Sequence, residues 1–194
     1  MNRIAERLFI GDANDGADAD ALRGSGITAV LNATNESDRL GGRFAYLRLG
    51  QDDGAPIPPE RLDRFARWMR ERMETGETVL IHCGAGVSRA ATFAITWLML
   101  AGLSWDEAEA LVLAARPQIA PNAALKLSVQ GWFAERGQEA ARREAKRRDL
   151  GDSLAEATVW AEESGAFSPA AQRAMQRTVG ALRAAIQEIG WPTA

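Results

Sequence analysis

Hydrophobic positions along the chain follow two rhythms. Four short apolar runs, Arg7–Ile10, Ile27–Leu31, Phe44–Leu49 and Thr78–His82, read as strands, and glycines at 11, 24, 26, 50 and 76 punctuate them. From Pro59 the rhythm becomes helical. Leu62, Phe65, Met69 and Met73 recur three or four residues apart with Arg and Glu between them, and Pro59 suits a first helical turn. Ser104-Trp105-Asp106-Glu107 reads as a capping box that opens a helix with Ala108, Leu111, Val112 and Ala115 on one face. Pro121-Asn122 interrupts the chain before a further helix through Trp132 and Phe133. Strands interleaved with helices predict an α/β layered fold.

The character of the chain changes after about residue 136. The Glu139–Asp149 stretch is charged, and Glu139/Arg143 and Glu144/Arg148 form i,i+4 pairs in the favourable order, as on a solvated helix. Ser168-Pro169 reads as an N-cap and first helical residue. Met175, Val179, Leu182, Ile186 and Ile189 then form a narrow apolar stripe. The expectation is that this stripe packs on the chain's own core; self-association or partner docking through these helices is the alternative.

Composition narrows the function classes. At 194 residues and 46% hydrophobic, the chain can build a core, so wholesale disorder is excluded. A net charge of −3 counts against a nucleic-acid binder. One cysteine and one histidine exclude an intrachain disulfide and a zinc site built from several such ligands. The N-terminus shows no signal-peptide run. The longest mostly apolar stretch, Ala90–Leu103, is too short to span a bilayer. These readings predict a cytoplasmic protein with no membrane segment.

The chemistry concentrates in Val79-Leu80-Ile81-His82-Cys83-Gly84-Ala85-Gly86-Val87-Ser88-Arg89-Ala90. A strand ends at His82, a Gly- and Ala-rich loop follows, and an apolar helix begins near Arg89 and runs towards Ala101. A loop at a helix N-terminus presents several N–H groups to one point, with the positive end of the helix dipole behind them. Gly84 and Gly86 let the backbone fold closely around an anion. A cysteine at the head of such a loop meets the same amides and dipole, which favour a thiolate. Arg89 has a planar fork that can hold two oxygens of a tetrahedral anion. A nucleophilic sulfur facing a phosphate-shaped cradle implies phosphoryl transfer to cysteine.

This His-Cys-x5-Arg stretch resembles the signature of cysteine-dependent protein phosphatases, and of their dual-specificity branch in particular. The likeness covers roughly residues 3 to 135. It includes Arg7-Leu8-Phe9-Ile10-Gly11, Leu22, Gly26–Asn32, Tyr46, the Asp-Asp-Gly segment, Arg116 and Pro121-Asn122. The resemblance implies a central mixed, mostly parallel sheet flanked by helices in a 1–136 phosphatase domain, followed by a helical 137–194 extension. It implies Cys83 as nucleophile, and Gly84, Ala85, Gly86, Val87, Ser88 and Arg89 as the binders of the substrate phosphate. His82 would order the backbone around the sulfur, although a histidine at a strand end is also an ordinary structural residue. Ser88 would bond within the loop or cap the helix. The general acid is expected in Gln51-Asp52-Asp53-Gly54-Ala55-Pro56, at Asp53 with Asp52 as fallback. A turn before Pro56 would use the same residues. No metal or organic cofactor is needed, and the implied partner is a phosphorylated protein hydrolysed at phosphotyrosine and phosphoserine or phosphothreonine.

Two departures bear on this expectation. Many relatives carry Ser or Thr directly after the signature Arg, where a hydroxyl can donate to the departing sulfur. Here the residue is Ala90, as in the phosphatases of regenerating liver, which share the Asp-Asp-Gly-Ala-Pro string. Leu125 and Ser128 stand where Phe and Gln are usual and read as core variation. The loop interior carries no Lys, which weakens a phosphoinositide reading. Arg39, Arg43 and Arg48 are candidates for the pocket border. The alternatives are the same chemistry on a phosphoinositide, RNA 5′-phosphate or nucleotide, and a non-catalytic phospho-residue binding module. Rhodanese or arsenate reductase chemistry fits less well, since no second cysteine exists for redox cycling.

Overall fold

A computed structural model describes residues 1–37, 40 and 42–142. The Met175–Ile189 stripe, Ser168-Pro169, Arg39 and most of the charged 139–149 run lie outside the described residues. The chain divides into two compact units, Met1–Trp132 and Phe133–Ala194. In the second, residues 133–142 are helical.

The first unit is an α/β layer structure. Its strands are β1 (Asn2–Ala5), β2 (Leu8–Gly11), β3 (Ala29–Asn32), β4 (Ala45–Arg48) and β5 (Val79–His82). They form one sheet in the order β1-β2-β5-β3-β4. Only β1 runs antiparallel to its neighbour; β2, β5, β3 and β4 pair in parallel. The expected mixed, mostly parallel sheet is thus present. All residues of β3 and β5 are buried, as central parallel strands covered on both faces must be. β1 escaped the sequence reading because Asn2-Arg3-Ile4-Ala5 is only half-buried, with exposed residues alternating, as on an edge strand.

Helices supply the layers. α1 (Ala13–Ala17) and α2 (Ala19–Gly24) follow β2, and α3 (Pro59–Glu74) lies between β4 and β5. α4 (Arg89–Leu100) and α5 (Trp105–Ala115) come next, and residues 123–132 begin a sixth helix. α1 was not legible, since Ala-Asn-Asp-Gly is poor helical sequence. A reciprocal cap by Asp12 and Asp15 starts it instead of the usual Ser/Thr and Glu. The Ser104/Glu107 box does open α5. The buried face of α5, however, is Trp105, Ala108 and Val112; Leu111 is 48% exposed, contrary to expectation. The 3-4 spacing that starts at Trp105 selects 108 and 112 and leaves Leu111 off the stripe.

Leu62, Phe65 and Met69 of α3 are fully buried, as their spacing predicts, while Met73 is only partly covered. Phe65 meets Phe93 of α4 with ring centroids 5.0 Å apart. That contact packs the helix following the acidic segment against the helix following Cys83. Registers across β2, β5 and β3 align Gly11, His82 and Asn32. The loops leaving these three strands therefore gather at the carboxyl edge of the sheet, where open α/β sheets place their ligands.

Phe93→Ala is expected to lower the unfolding free energy by about 3–5 kcal/mol. Urea unfolding followed by tryptophan fluorescence would read this as a lower midpoint.

Candidate active site

β5 carries the chain to Cys83, whose side chain is 1% exposed, and α4 starts at Arg89. Ser88 holds the N-cap position, yet its side chain makes no cap hydrogen bond. The capping alternative for Ser88 is therefore set aside. Among the described residues, no backbone N–H of residues 84–88 donates to a protein acceptor.

The carbonyls of the same loop are all engaged. Ala13 N–H donates to the Gly84 carbonyl at 3.0 Å and Ala120 N–H to that of Val87 at 3.0 Å. Arg116 serves the two between them, through Nη2 to Ala85 at 3.1 Å and Nε to Gly86 at 2.9 Å. A peptide unit points its N–H and C=O in opposite directions, so four tethered carbonyls turn the amides to the other side. Arg116 is itself buried and held by Asn2 Oδ1 at 2.8 Å and Asp12 Oδ2 at 3.5 Å. Gly86 has φ +69°, and a β-carbon there would stand 2.6 Å from Arg116 Nη2 and 2.7 Å from the Gly11 carbonyl oxygen. This position demands glycine on both counts. Sequence reasoning gave Arg116 no task; only its place in the family likeness marked it.

The acidic segment lies against this loop. Asp53 Oδ1 accepts the Ser88 hydroxyl at 2.7 Å, and Asp53 Oδ2 is 3.7 Å from Arg89 Nε. Asp52 turns away and accepts from Asn35 Nδ2. The adjacent aspartates are thus distinguished: only Asp53 meets the Cys83–Arg89 loop. Its side chain is 49% exposed above an Arg89 side chain that is 16% exposed. Arg89 Nη1 donates to the Gln51 carbonyl at 3.1 Å, while its buried Nε makes no hydrogen bond within the protein. Gln51 is fully buried and orders the segment. Its amide donates to the Asp52 and Ala55 carbonyls, and its oxygen accepts from Arg61.

Further residues surround the loop. His82 is fully buried beneath Gly16 of α1, where a β-carbon would stand 2.5 Å from the imidazole. Beside Gly16, burial pushes the Asp15 carboxyl up. Hydrogen bonds from the Met1 ammonium and Asp12 N–H, with the Met1 and Arg116 charges, outweigh this and hold it below its ordinary range. Glu36 also lies below its ordinary range, through hydrogen bonds from its own backbone N–H and the Thr34 hydroxyl, with a contribution from the Arg89 charge. Arg48 donates to the Asn35 carbonyl and Ser37 hydroxyl, and Arg43 is exposed.

The family description "Dual specificity phosphatase, catalytic domain" matches residues 8–134. The chain belongs to the dual-specificity phosphatase family. It is 30% identical over 135 residues to human dual specificity protein phosphatase 22, covering 67% of this chain and 72% of that one. It is 28% identical over 132 residues to zebrafish dual specificity protein phosphatase 22-A, covering 67% of this chain but 64% of the relative. The chain thus spans less than two thirds of that relative's length. The crystal structure of human DUSP28 superposes with a TM-score of 0.66 at 27% identity, covering 71% of this chain and 99% of that one.

Two features of this dual-specificity phosphatase family member separate departures that looked alike in sequence. Leu125 is fully buried, as core variation requires. Ser128 is more than core filling: its hydroxyl accepts from Ile57 N–H at 2.9 Å and ties down the end of the acidic segment. Ala90 is fully buried at the first turn of α4. No helix among the described residues is long and apolar enough to cross a membrane.

Gly86→Ala is expected to reduce vanadate affinity at least tenfold, because Arg116 and the Gly11 backbone must both move. Gly26→Ala has a similar positive φ but open space around it, so it should cost only backbone strain. Calorimetric titration of both variants separates crowding from strain.

Proposed function

We propose that this protein hydrolyses phosphate esters of tyrosine, and of serine or threonine, in protein substrates through a cysteinyl-phosphate intermediate. The observation that carries this reading is the tethering of all four carbonyls from Gly84 to Val87, which leaves the loop's amides to face an oxyanion beside Cys83. Arg89 Nε, buried and without a hydrogen bond in the protein, suits a phosphate oxygen. We assign residues 1–136 to the phosphatase domain and 137–194 to a helical extension, and we read the protein as cytoplasmic from its single free thiol.

The Cys83 sulfur attacks phosphorus in line, forming S–P as the P–O ester bond breaks. Amides of Gly84, Ala85, Gly86, Val87 and Ser88, together with Arg89, hold the equatorial oxygens where charge spreads. Asp53 gives its proton to the departing alcohol or phenol oxygen. Water then attacks phosphorus and passes a proton to Asp53. The S–P bond breaks, inorganic phosphate leaves, and Cys83 returns as thiolate. His82 supports the backbone that presents Cys83. Every step uses side chains and amides of the chain, without metal or organic cofactor.

A phosphopeptide panel tests the reading. Wild-type protein should release phosphate from phosphotyrosine and phosphoserine or phosphothreonine peptides. Cys83→Ser should release none, and Asp53→Ala should lower kcat/KM for phenyl phosphate by about 10²–10⁴-fold. Residual turnover by Cys83→Ser would overturn the mechanism.

Ala90 gives the second step a distinct character, since no hydroxyl stands there to donate to the departing sulfur. Rapid quench should show a burst of chromogenic alcohol followed by slower turnover, and Ala90→Ser should raise the slow phase. If breakdown limits the rate and Ala90→Ser does not speed it, Ala90 is not the cause.

A further inference from the structure

We propose that Ser88 is the positioning residue for the general acid, holding Asp53 over the loop and fixing which of its oxygens carries the transferable proton. The inference rests on the cysteinyl-phosphate reading and adds a task that the signature loop does not by itself require.

Ser88 occupies an N-cap position, where a serine hydroxyl ordinarily accepts from the backbone of its own helix. Here it does not. Instead the Ser88 oxygen accepts from Asn122 N–H at 3.2 Å and donates to Asp53 Oδ1 at 2.7 Å. The Asn122 amide occupies a lone pair of the hydroxyl and so directs its proton towards Asp53. A hydroxyl oriented in this way can only be met by an acceptor oxygen. Oδ1 therefore stays unprotonated in both ionisation states of Asp53, and the proton of the acid form resides on Oδ2. That oxygen is the one beside Arg89, at 3.7 Å from Nε. The acid's proton is thus placed on the side of the guanidinium that the phosphate is to occupy.

The arrangement also restrains a carboxyl group that is otherwise half-exposed. Gln51 and Ser128 fix the two ends of the acidic segment, but the Gln51 side chain bonds only backbone carbonyls and Arg61, and the Ser128 hydroxyl bonds the backbone at Ile57. Among the described residues, only Ser88 gives the Asp53 side chain a hydrogen bond. Ser88 is itself 8% exposed and located by the Asn122 backbone, so it moves little. Removing its hydroxyl leaves the segment in place while freeing the acid's rotamer, which costs proton transfer more than phosphate binding.

General-acid assistance matters in proportion to the basicity of the leaving oxygen, so leaving-group dependence tests the proposal. kcat/KM would be measured for a series of aryl phosphates from nitrophenyl to phenyl, with wild type, Ser88→Ala, Ser88→Thr and Asp53→Ala. This constant reports formation of the phosphoenzyme and is blind to the slow second step attributed to Ala90. Ser88→Ala should lose at least tenfold more on phenyl phosphate than on the nitrophenyl ester. It should also flatten the high-pH limb of the kcat/KM profile, and Ser88→Thr should restore most of the loss. Equal losses across the series, or a loss of vanadate affinity matching the loss of rate, would make Ser88 a loop-stabilising residue and overturn the proposal. If Asp53→Ala steepens the dependence and Ser88→Ala does not, the task of Ser88 fails while the phosphatase reading stands. If Asp53→Ala itself leaves the dependence unchanged, the role of Asp53 falls and that of Ser88 with it.

Discussion

The site depends on a single constraint: the carbonyl oxygens of four consecutive peptides are held from outside. Amide groups are dipoles of fixed internal geometry, so anchoring one end orients the other. Ala13 and Ala120 anchor the first and last of these peptides, and Arg116 anchors the middle pair. Each anchor comes from a different part of the chain. The cradle is therefore a property of the whole first unit, and the sheet matters to function because it sets the distance between these donors. The same logic explains Gly86, whose missing side chain lets Arg116 reach two successive carbonyls.

The second layer of organisation couples the Asp53 segment to the Cys83–Arg89 loop. Arg89 reaches the backbone of Gln51 and lies beside Asp53, while Ser88 bonds Asp53 directly. The Cys83–Arg89 loop and the Asp53 segment are separated by one helix and one strand in sequence, but the Phe65–Phe93 contact packs their following helices together. Groups proposed to act together, placed at two ends of one packed body, need no large motion to meet. Preorganisation of this kind supports rate by avoiding reorganisation during the reaction.

Much of this was legible beforehand. Strands β2 to β5 and helices α3, α4 and α5 announce themselves through periodicity, Pro59 and the Ser104 box. The Cys83–Arg89 spacing announces the loop. The remainder was hidden for identifiable reasons. β1 has the sequence of an edge, and α1 is started by an Asp pair in poor helical sequence. Asp52 and Asp53 are chemically identical until tertiary structure gives one to Asn35 and the other to Ser88. Leu111 obeys a helical spacing whose origin lies at a different residue. Arg116 and Ser128 act through backbone groups far off in sequence, and no local pattern encodes a donor that serves a carbonyl thirty residues away.

Arg116 has a consequence for how the molecule is assembled and handled. One buried guanidinium joins β1 through Asn2, the start of α1 through Asp12, and the Cys83–Arg89 loop. Partial order in any one of these leaves the proposed oxyanion receptor unfinished, so that receptor matures only with the complete unit. On the proposed function, simple tetrahedral anions in a storage buffer are ligands of the native state alone and should raise its melting temperature by mass action. Occupancy by such an ion would then certify that the first unit has reached its final packing.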